Sequence, residues 1–495
     1  MRTRLRVAAL AAGACALLAA GCATLEAPFR AHLESAQTQV RGCADWYRLL
    51  DEHVAAAGTR DAQDARVPGF PYLRVSRLLA SLRPVAANET ALQALADRML
   101  ALDLEARRYE IMNLPAGQLG GLPESLARTQ YCGRLLRELD LANPDARRAL
   151  LERAQVADDY SLPSRVFGLY ALTSFAFAAG IRRYEEQTRA QFRQQASAPA
   201  GAVVVRHAPP PGPPLSRGRA ARILERAATN PLGIPEAGEA ELAELFAAYA
   251  PSFEIAVAGD YDRFGALRWP RNGETPMVDG SDLAVYTQTA WTRYRDRVLL
   301  QLVYTIWFPE RPPQEAGDIL AGRLDGITWR VTLAPDGEPL VYDAMHPCGC
   351  YHLFFPTPRA QALPAPSGAE EWMFSPQALP TIAEGERPVL RIASGTHFIE
   401  RVALVRGTDS LTRYELRPYG ELRSMRRLGA GRASAFGPDG LVRGTERPER
   451  FVFWPTGIVS AGAMRQWGRH ATAFVGRRHF DDADLLEKRF RLDLR

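Results

Sequence analysis

A single lysine, Lys488, stands among the 61 basic residues of this 495-residue chain. Chemistry that needs a lysine amine therefore has one position open to it. That position lies in Asp-Ala-Asp-Leu-Leu-Glu-Lys-Arg-Phe, which reads as an amphipathic terminal helix. No GxxxxGK[ST] motif occurs, so the phosphate-cradling loop of nucleotide hydrolases is excluded. A GxSxG nucleophile elbow and an HExxH zinc helix are missing as well. Cysteines number six and histidines eight. Neither the Cys-x-x-Cys pairs of zinc ribbons nor the Cys-x-x-Cys-His of c-type haem attachment is present. The two longest apolar runs, 7–20 and 166–181, fall short of the roughly twenty residues of a membrane-spanning helix.

What is present begins with an address. Arg2, Arg4 and Arg6 precede the apolar run Val7–Ala20, and no acid interrupts them. A basic start and a short apolar run describe an export signal. The run closes on Leu18-Ala19-Ala20-Gly21-Cys22. This resembles the lipobox of bacterial lipoproteins, in which small residues precede an invariant cysteine, although the leucine here stands one place farther from it than usual. The resemblance implies that Cys22 carries a diacylglyceryl thioether and becomes the mature N-terminus, commonly with a third acyl chain. Buried acyl CH₂ groups contribute about 0.8 kcal/mol each, and two chains anchor stably. Ala23, where an aspartate would retain the protein at the inner membrane, implies the outer membrane with the body facing the periplasm. The expected partners are the membrane, through the anchor, and other envelope proteins. Removing three arginines with the signal takes the formal charge from +5 to +2 (5 − 3), which gives no reason to expect nucleic acid.

The mature chain reads as α+β. Residues 22–194 are rich in the good helix formers Ala, Leu, Arg and Glu and predict an all-helical domain. Within it, Val166–Ile181 carries no charge and is flanked by Arg165, Arg182 and Arg183. Its shortness predicts a helix buried in the core; the alternative is a face entering a membrane interface through Phe167, Tyr170, Phe175 and Phe177. Residues 195–217, with six prolines, predict an extended linker. From 218 to 495 the β-branched and aromatic content rises. A mostly antiparallel β-rich domain is expected there, with a C-terminal helix in the tail after Ser460.

One cluster stands out. Tyr342-Asp343-Ala344-Met345-His346-Pro347-Cys348-Gly349-Cys350-Tyr351-His352 contains His-x-Cys-x-Cys-x-His. Imidazole and thiolate are the preferred ligands of zinc and copper. In one continuous strand His346 and His352 would stand about 20 Å apart. A single ion reaches both only if the chain turns at Pro347 and Gly349, or if His397 joins from another strand. Three readings fit: a zinc or copper site using His346, Cys348, Cys350, His352 and His397; a redox-active or strained Cys348–Cys350 disulfide; or a packed turn without chemistry. A cysteine nucleophile served by His397 or His470 is a fourth. Cys43 and Cys132 either form a disulfide or are two small buried residues. The functional expectation is thus an anchored envelope protein with metal or thiol chemistry, and its rival is a non-catalytic envelope scaffold.

Overall fold

The computed structural model describes residues 26–85, 88–194, 201–212, 215–366, 371–407, 412–429 and 431–495. The expected lipidation site, Cys22, lies outside the described residues. The fold is α+β: helices dominate the N-terminal part, and two large sheets form the rest.

The main helices are α1 (Thr38–Ala57), α2 (Glu89–Met112), α3 (Leu122–Ala142), α4 (Leu162–Phe167), α5 (Tyr170–Arg193), α6 (Arg217–Ala227) and α7 (Glu239–Tyr249). Their ends are written in the sequence. The Asn88 side chain accepts from the Ala91 amide at the start of α2, and α1 stops at Gly58 in the left-handed conformation, the usual way to close a helix. Helix α1 buries Val40, Cys43, Tyr47, Leu50 and Val54 on one stripe. Helix α3 meets it through small residues. A Cβ added at Gly133 would sit 2.7 Å from the Tyr47 hydroxyl, so only glycine allows this approach. Cys43 of α1 and Cys132 of α3 are joined in a disulfide, with Cα atoms 4.9 Å apart.

The strands that position the site are β1 (Val203–Ala208), β2 (Ser252–Val257), β3 (Ala284–Tyr294), β4 (Arg297–Arg311), β5 (Gly322–Leu333), β6 (Pro339–Met345), β7 (Leu353–Pro356), β8 (Glu386–Ile392), β9 (Ile399–Arg406), β10 (Thr412–Arg413) and β11 (Glu415–Pro418). A six-stranded sheet runs β7-β6-β5-β4-β3-β11, and a five-stranded sheet runs β9-β8-β2-β1-β10. Neighbours are antiparallel except β3/β11, β2/β8 and β1/β10. Ile306, Phe308, Ile327, Trp329 and Val331 of the first sheet share one apolar core with Phe253, Ile255, Leu390 and Ile392 of the second. Helices α6 and α7 and Phe192 of α5 complete that core.

Four local expectations fail for physical reasons. Within 22–194, expected to be all helical, Ala65–Val67 and Phe70–Val75 pair as an antiparallel hairpin, turning at Gly69 with φ +80°. Within 195–217, Val203–Ala208 is a strand of the second sheet, paired with β2; three consecutive valines favour the sheet over an extended connector. The tail beyond Ser460 is not helical. Gly462, Gly468 and Gly476 adopt positive φ, and the stretch expected to be a helix makes only isolated turns. It then pairs Phe490–Leu492 with Ala360–Ala362. Val166–Ile181 is not buried: the helix breaks at Gly168, and Phe167, Leu172 and Phe175 are 80%, 68% and 67% exposed.

The helical and β-rich parts share buried contacts. Val298 and Ala483 belong to the helical core. Buried Arg423 donates to both carboxylate oxygens of Asp61, and the Gln466 amide donates to the same group.

Candidate functional site

The chain does turn between β6 and β7, as Pro347 and Gly349 allow. The His346 amide donates to the Cys350 carbonyl at 3.0 Å and the Gly349 amide to the His346 carbonyl at 2.8 Å. Gly349 has φ +87°, and a Cβ there would meet the Ala471 carbonyl oxygen at 2.4 Å. The C-terminal tail clasps the turn: the Arg465 amide donates to the Pro347 carbonyl, the Arg465 side chain to the Cys348 carbonyl, and His470 bonds the Pro347 carbonyl.

The turn nevertheless separates the two histidines. Ala344 pairs with Leu353 across β6 and β7, so every even-numbered residue of one strand faces an odd-numbered residue of the other. Side chains alternate between faces along a strand. His352 therefore joins the face of Asp343, and His346 the face of Ala344. One ring lies on each side of the sheet. The five residues singled out as ligands fall into three places, and no group of three His, Cys, Asp or Glu that could hold a metal forms among the described residues.

His352 belongs to an ion pair. Asp343 and Arg330 stand directly opposite on β6 and β5, and Arg330 donates to both Asp343 oxygens. The His352 Nε2 shares Asp343 at 2.9 Å, while its Nδ1 is buried without a partner. Burial pushes the imidazole down to about 3, so it is neutral and donates through Nε2–H.

His346 and His397 meet at Asp325. This aspartate lies on β5, fully buried. The Nδ1 of His346 lies 3.0 Å from one carboxylate oxygen and the Nδ1 of His397 2.9 Å from the other. The Arg447 guanidinium approaches to 3.7 Å. His397 comes from the β8–β9 loop and stacks flat on Phe308, 4.0 Å between centroids. Its Nε2 faces the Tyr261 carbonyl at 3.2 Å and Asp262 at 3.4 Å. Asp262 in turn accepts from Ser394 and from the Gly395 and Ala258 amides. The cluster gathers two carboxylates, a guanidinium and two imidazoles. Burial lowers His397, but the hydrogen bonds and charges of Asp262 and Asp325 outweigh it and hold the pKa above the usual value. Burial wins at His346 and lowers it. Burial alone would raise Asp325; the two imidazoles and Arg447 hold it well below the usual range.

This cluster ties the sheets together. Asp325 lies in β5 of the first sheet and His346 directly after its strand β6; His397 lies in the β8–β9 loop of the second sheet and Asp262 in the turn after β2. Three non-glycine residues with left-handed backbone, Leu324, Tyr351 and His397, surround it. Such residues persist only where the surroundings over-determine them. The Nε2 of His346 has no partner among the described residues. His346 lines a recess closed by Tyr184, Thr188 and Gln191 of α5 with Tyr351 and Phe398, with room for about one water.

Cys348 and Cys350 are free, buried thiols packed with Trp307, Leu324 and Met464. The Cys350 amide donates to the Cys348 sulfur at 3.3 Å. The Cys348 hydrogen bond and burial push the Cys350 thiol well above its usual value, which disfavours the thiolate a nucleophile or redox centre needs. Neither His397 nor His470 serves them: both rings are committed elsewhere. Nearby, burial pushes the Glu449 carboxyl up to about 7.

The residues that sequence reasoning missed are Asp325, Asp262, Arg330, Arg447 and Glu449. A signal for two of them exists, because Asp325 and Arg330 interrupt a strand that is otherwise apolar, Gly or Thr apart from Arg323 at its start. A buried charge demands a partner. No known protein family, curated protein or solved structure matches the chain.

Proposed function

We propose that this chain is a lipid-anchored protein of the bacterial envelope, held at the outer membrane and facing the periplasm, that acts by binding as a scaffold or assembly component. The observation that carries this reading is the fate of the His-x-Cys-x-Cys-x-His motif. Its histidines lie on opposite faces of a sheet, His346 and His397 share one internal carboxylate, and both thiols are buried. These groups hold the fold together, and a zinc or copper ion finds no convergent donor set in them. The lipobox-like Leu18–Cys22 supports the anchor. The Cys43–Cys132 disulfide supports an oxidising compartment, where such bonds persist. No helix among the described residues is long and apolar enough to cross a membrane.

Fractionation and elemental analysis test this. Wild-type protein is expected to incorporate labelled palmitate and to stay in the membrane fraction through an alkaline carbonate wash, and Cys22→Ser protein to take up no label and to be released by that wash. Purified protein is expected to carry far less than one zinc or copper per chain, with Cys348 and Cys350 unreactive to thiol reagents until it unfolds. One tightly held ion per chain, lost in Cys348→Ser or Cys350→Ser, would overturn the binding-only reading. Retention of Cys22→Ser protein through the carbonate wash, with unchanged processing, would overturn the anchor.

A second reading rests on the His346 recess. Left-handed residues surround it, its Nε2 is unpartnered, and the raised Glu449 carboxyl lies in the same neighbourhood, a combination seen in acid–base sites. Under this reading a small polar ligand enters when α5 shifts. His346→Asn would then abolish ligand binding while leaving the fold intact, as read by circular dichroism.

A further inference from the structure

Eighteen large apolar side chains stand exposed among the described residues, and ten of them belong to one pair of neighbouring segments. The first is the α4–α5 hairpin, with Leu162, Val166, Phe167, Leu169, Leu172 and Phe175. The second is 451–459, with Phe451, Val452, Trp454 and Val459. The two are fastened together. The Ser161 amide donates to the Gly457 carbonyl at 2.7 Å, Arg165 donates to the Thr456 carbonyl, Tyr160 bridges Ile458, and Phe177 meets Phe453 at 5.8 Å.

The hairpin tip is built to hold these groups outward. Leu169 adopts φ +48°, a left-handed conformation that costs a leucine free energy. Gly168 is wedged so that a Cβ would lie 2.6 Å from Pro455. The turn is therefore fixed against its neighbour, with Phe167 and Leu169 pointing away from the body. Exposed apolar surface gathered in one place marks an interaction site.

Charge distinguishes the occupant. No carboxylate occurs from Tyr160 to Tyr184 or from Arg450 to Phe480, whereas arginines recur in both. Along the exposed side of α5, Leu172, Phe175, Ala176 and Ala179 give way to exposed Arg182 and Arg183. A helix rises 1.5 Å per residue, so these arginines stand about 10–16 Å behind Phe175 and Leu172. With apolar side chains buried about 5–10 Å into the acyl boundary, that separation leaves the guanidiniums outside it, among the headgroups. Exposed Arg450 over the Phe451 ring and Trp454 supply the same pairing on the second segment. The tether agrees. Glu26 pairs with Arg153 at 3.2 Å, and the four residues from Cys22 to Glu26 reach at most about 14 Å. From Arg153 the chain needs only eight residues to Ser161, at the base of the hairpin, a reach of at most about 28 Å.

We infer that the α4–α5 tip and the 451–459 segment form a second membrane contact, a surface that seats in the interface of an anionic phospholipid bilayer and fixes the orientation of the anchored body. This deepens the envelope reading and rests on it for compartment, but the surface binds lipid without the acyl chains. Full-length Cys22→Ser protein, which lacks them, is the right probe. It is expected to co-float with phosphatidylethanolamine–phosphatidylglycerol vesicles and much less with pure phosphatidylcholine. Adding Phe167→Ser, Leu172→Ser and Phe175→Ser, all at exposed positions, should weaken partitioning about a hundredfold with the melting temperature kept. Arg182→Gln with Arg183→Gln should remove most of the preference for anionic lipid. Failure of folded Cys22→Ser protein to bind either vesicle, or equal binding by the triple variant, overturns the inference and leaves the anchor intact. Self-association that the triple variant abolishes, without vesicle binding, also overturns it, in favour of a second copy on this face.

Discussion

Two regions of this molecule invert the usual arrangement. Around residues 325, 346 and 397, carboxylates, imidazoles and a guanidinium are packed inside with almost no exposure. Along 162–175 and 451–459, phenylalanine, leucine and tryptophan face outward. Burying charge is costly unless it is paired and hydrogen-bonded, and here the pairing is nearly complete. Exposing grouped apolar surface is costly unless something covers it, and no described part of this chain does. The internal cost is met by the fold itself; the external one implies a partner. The contrast teaches that chemically suggestive residues need not mark the working surface.

The comparison can be broken first at its polar end. Asp325→Ala would leave Arg447 and the rings of His346 and His397 without their shared carboxylate. Breaking a buried pair this way costs about 3–5 kcal/mol, which urea denaturation should register. If the loss were under about 1 kcal/mol, the cluster would not be a structural tie. The helical part offers a reference of similar size. The Cys43–Cys132 bridge spans 89 positions, and chain-entropy arguments assign a loop of that length about 4–5 kcal/mol. The double variant Cys43→Ala, Cys132→Ala should lose roughly that or somewhat less by the same measurement.

A smaller effect separates the two ring environments by pH. The pKa of His352 is depressed in the folded state, to about 3, against about 6.5 unfolded. The unfolded chain then binds the extra proton. This residue's contribution is fully present above about pH 6.5 and is lost as pH falls toward 3. His397 is shifted the other way; its contribution is present below about pH 6.5 and is lost as pH rises through its raised pKa. Stability of His352→Asn, followed by chemical denaturation against pH, should fall less steeply than wild type across the acid window. His397→Asn should flatten the alkaline side instead. Smallest of all, the triple serine variant of the exposed face should change stability by no more than about 0.5 kcal/mol per site, because those side chains touch little protein.

Much of the architecture was legible. The good helix formers before residue 194 and the valine, isoleucine and aromatic runs after 283 carry the α+β order that the structure shows. The turn at Pro347 and Gly349 was readable too. The facing of the two histidines was not, because it depends on whether β6 and β7 pair even with odd or even with even, a matter of register that composition does not encode. The exposure of 166–181 was hidden for a related reason. An uncharged run is equally apolar whether a core or a bilayer receives it, and only tertiary packing decides between them. The buried arginines Arg74 and Arg107, paired with Asp103 and Glu110 inside the helical part, were invisible for want of any local signature.

Hydrogen exchange on full-length Cys22→Ser protein, free in buffer and then with anionic vesicles, reads both regions in one measurement. Slowed exchange confined to 162–183 and 450–459, with 346–352 and 397 equally protected in both states, is the outcome expected here. A change centred on 346–352, or none at 162–183, would contradict it.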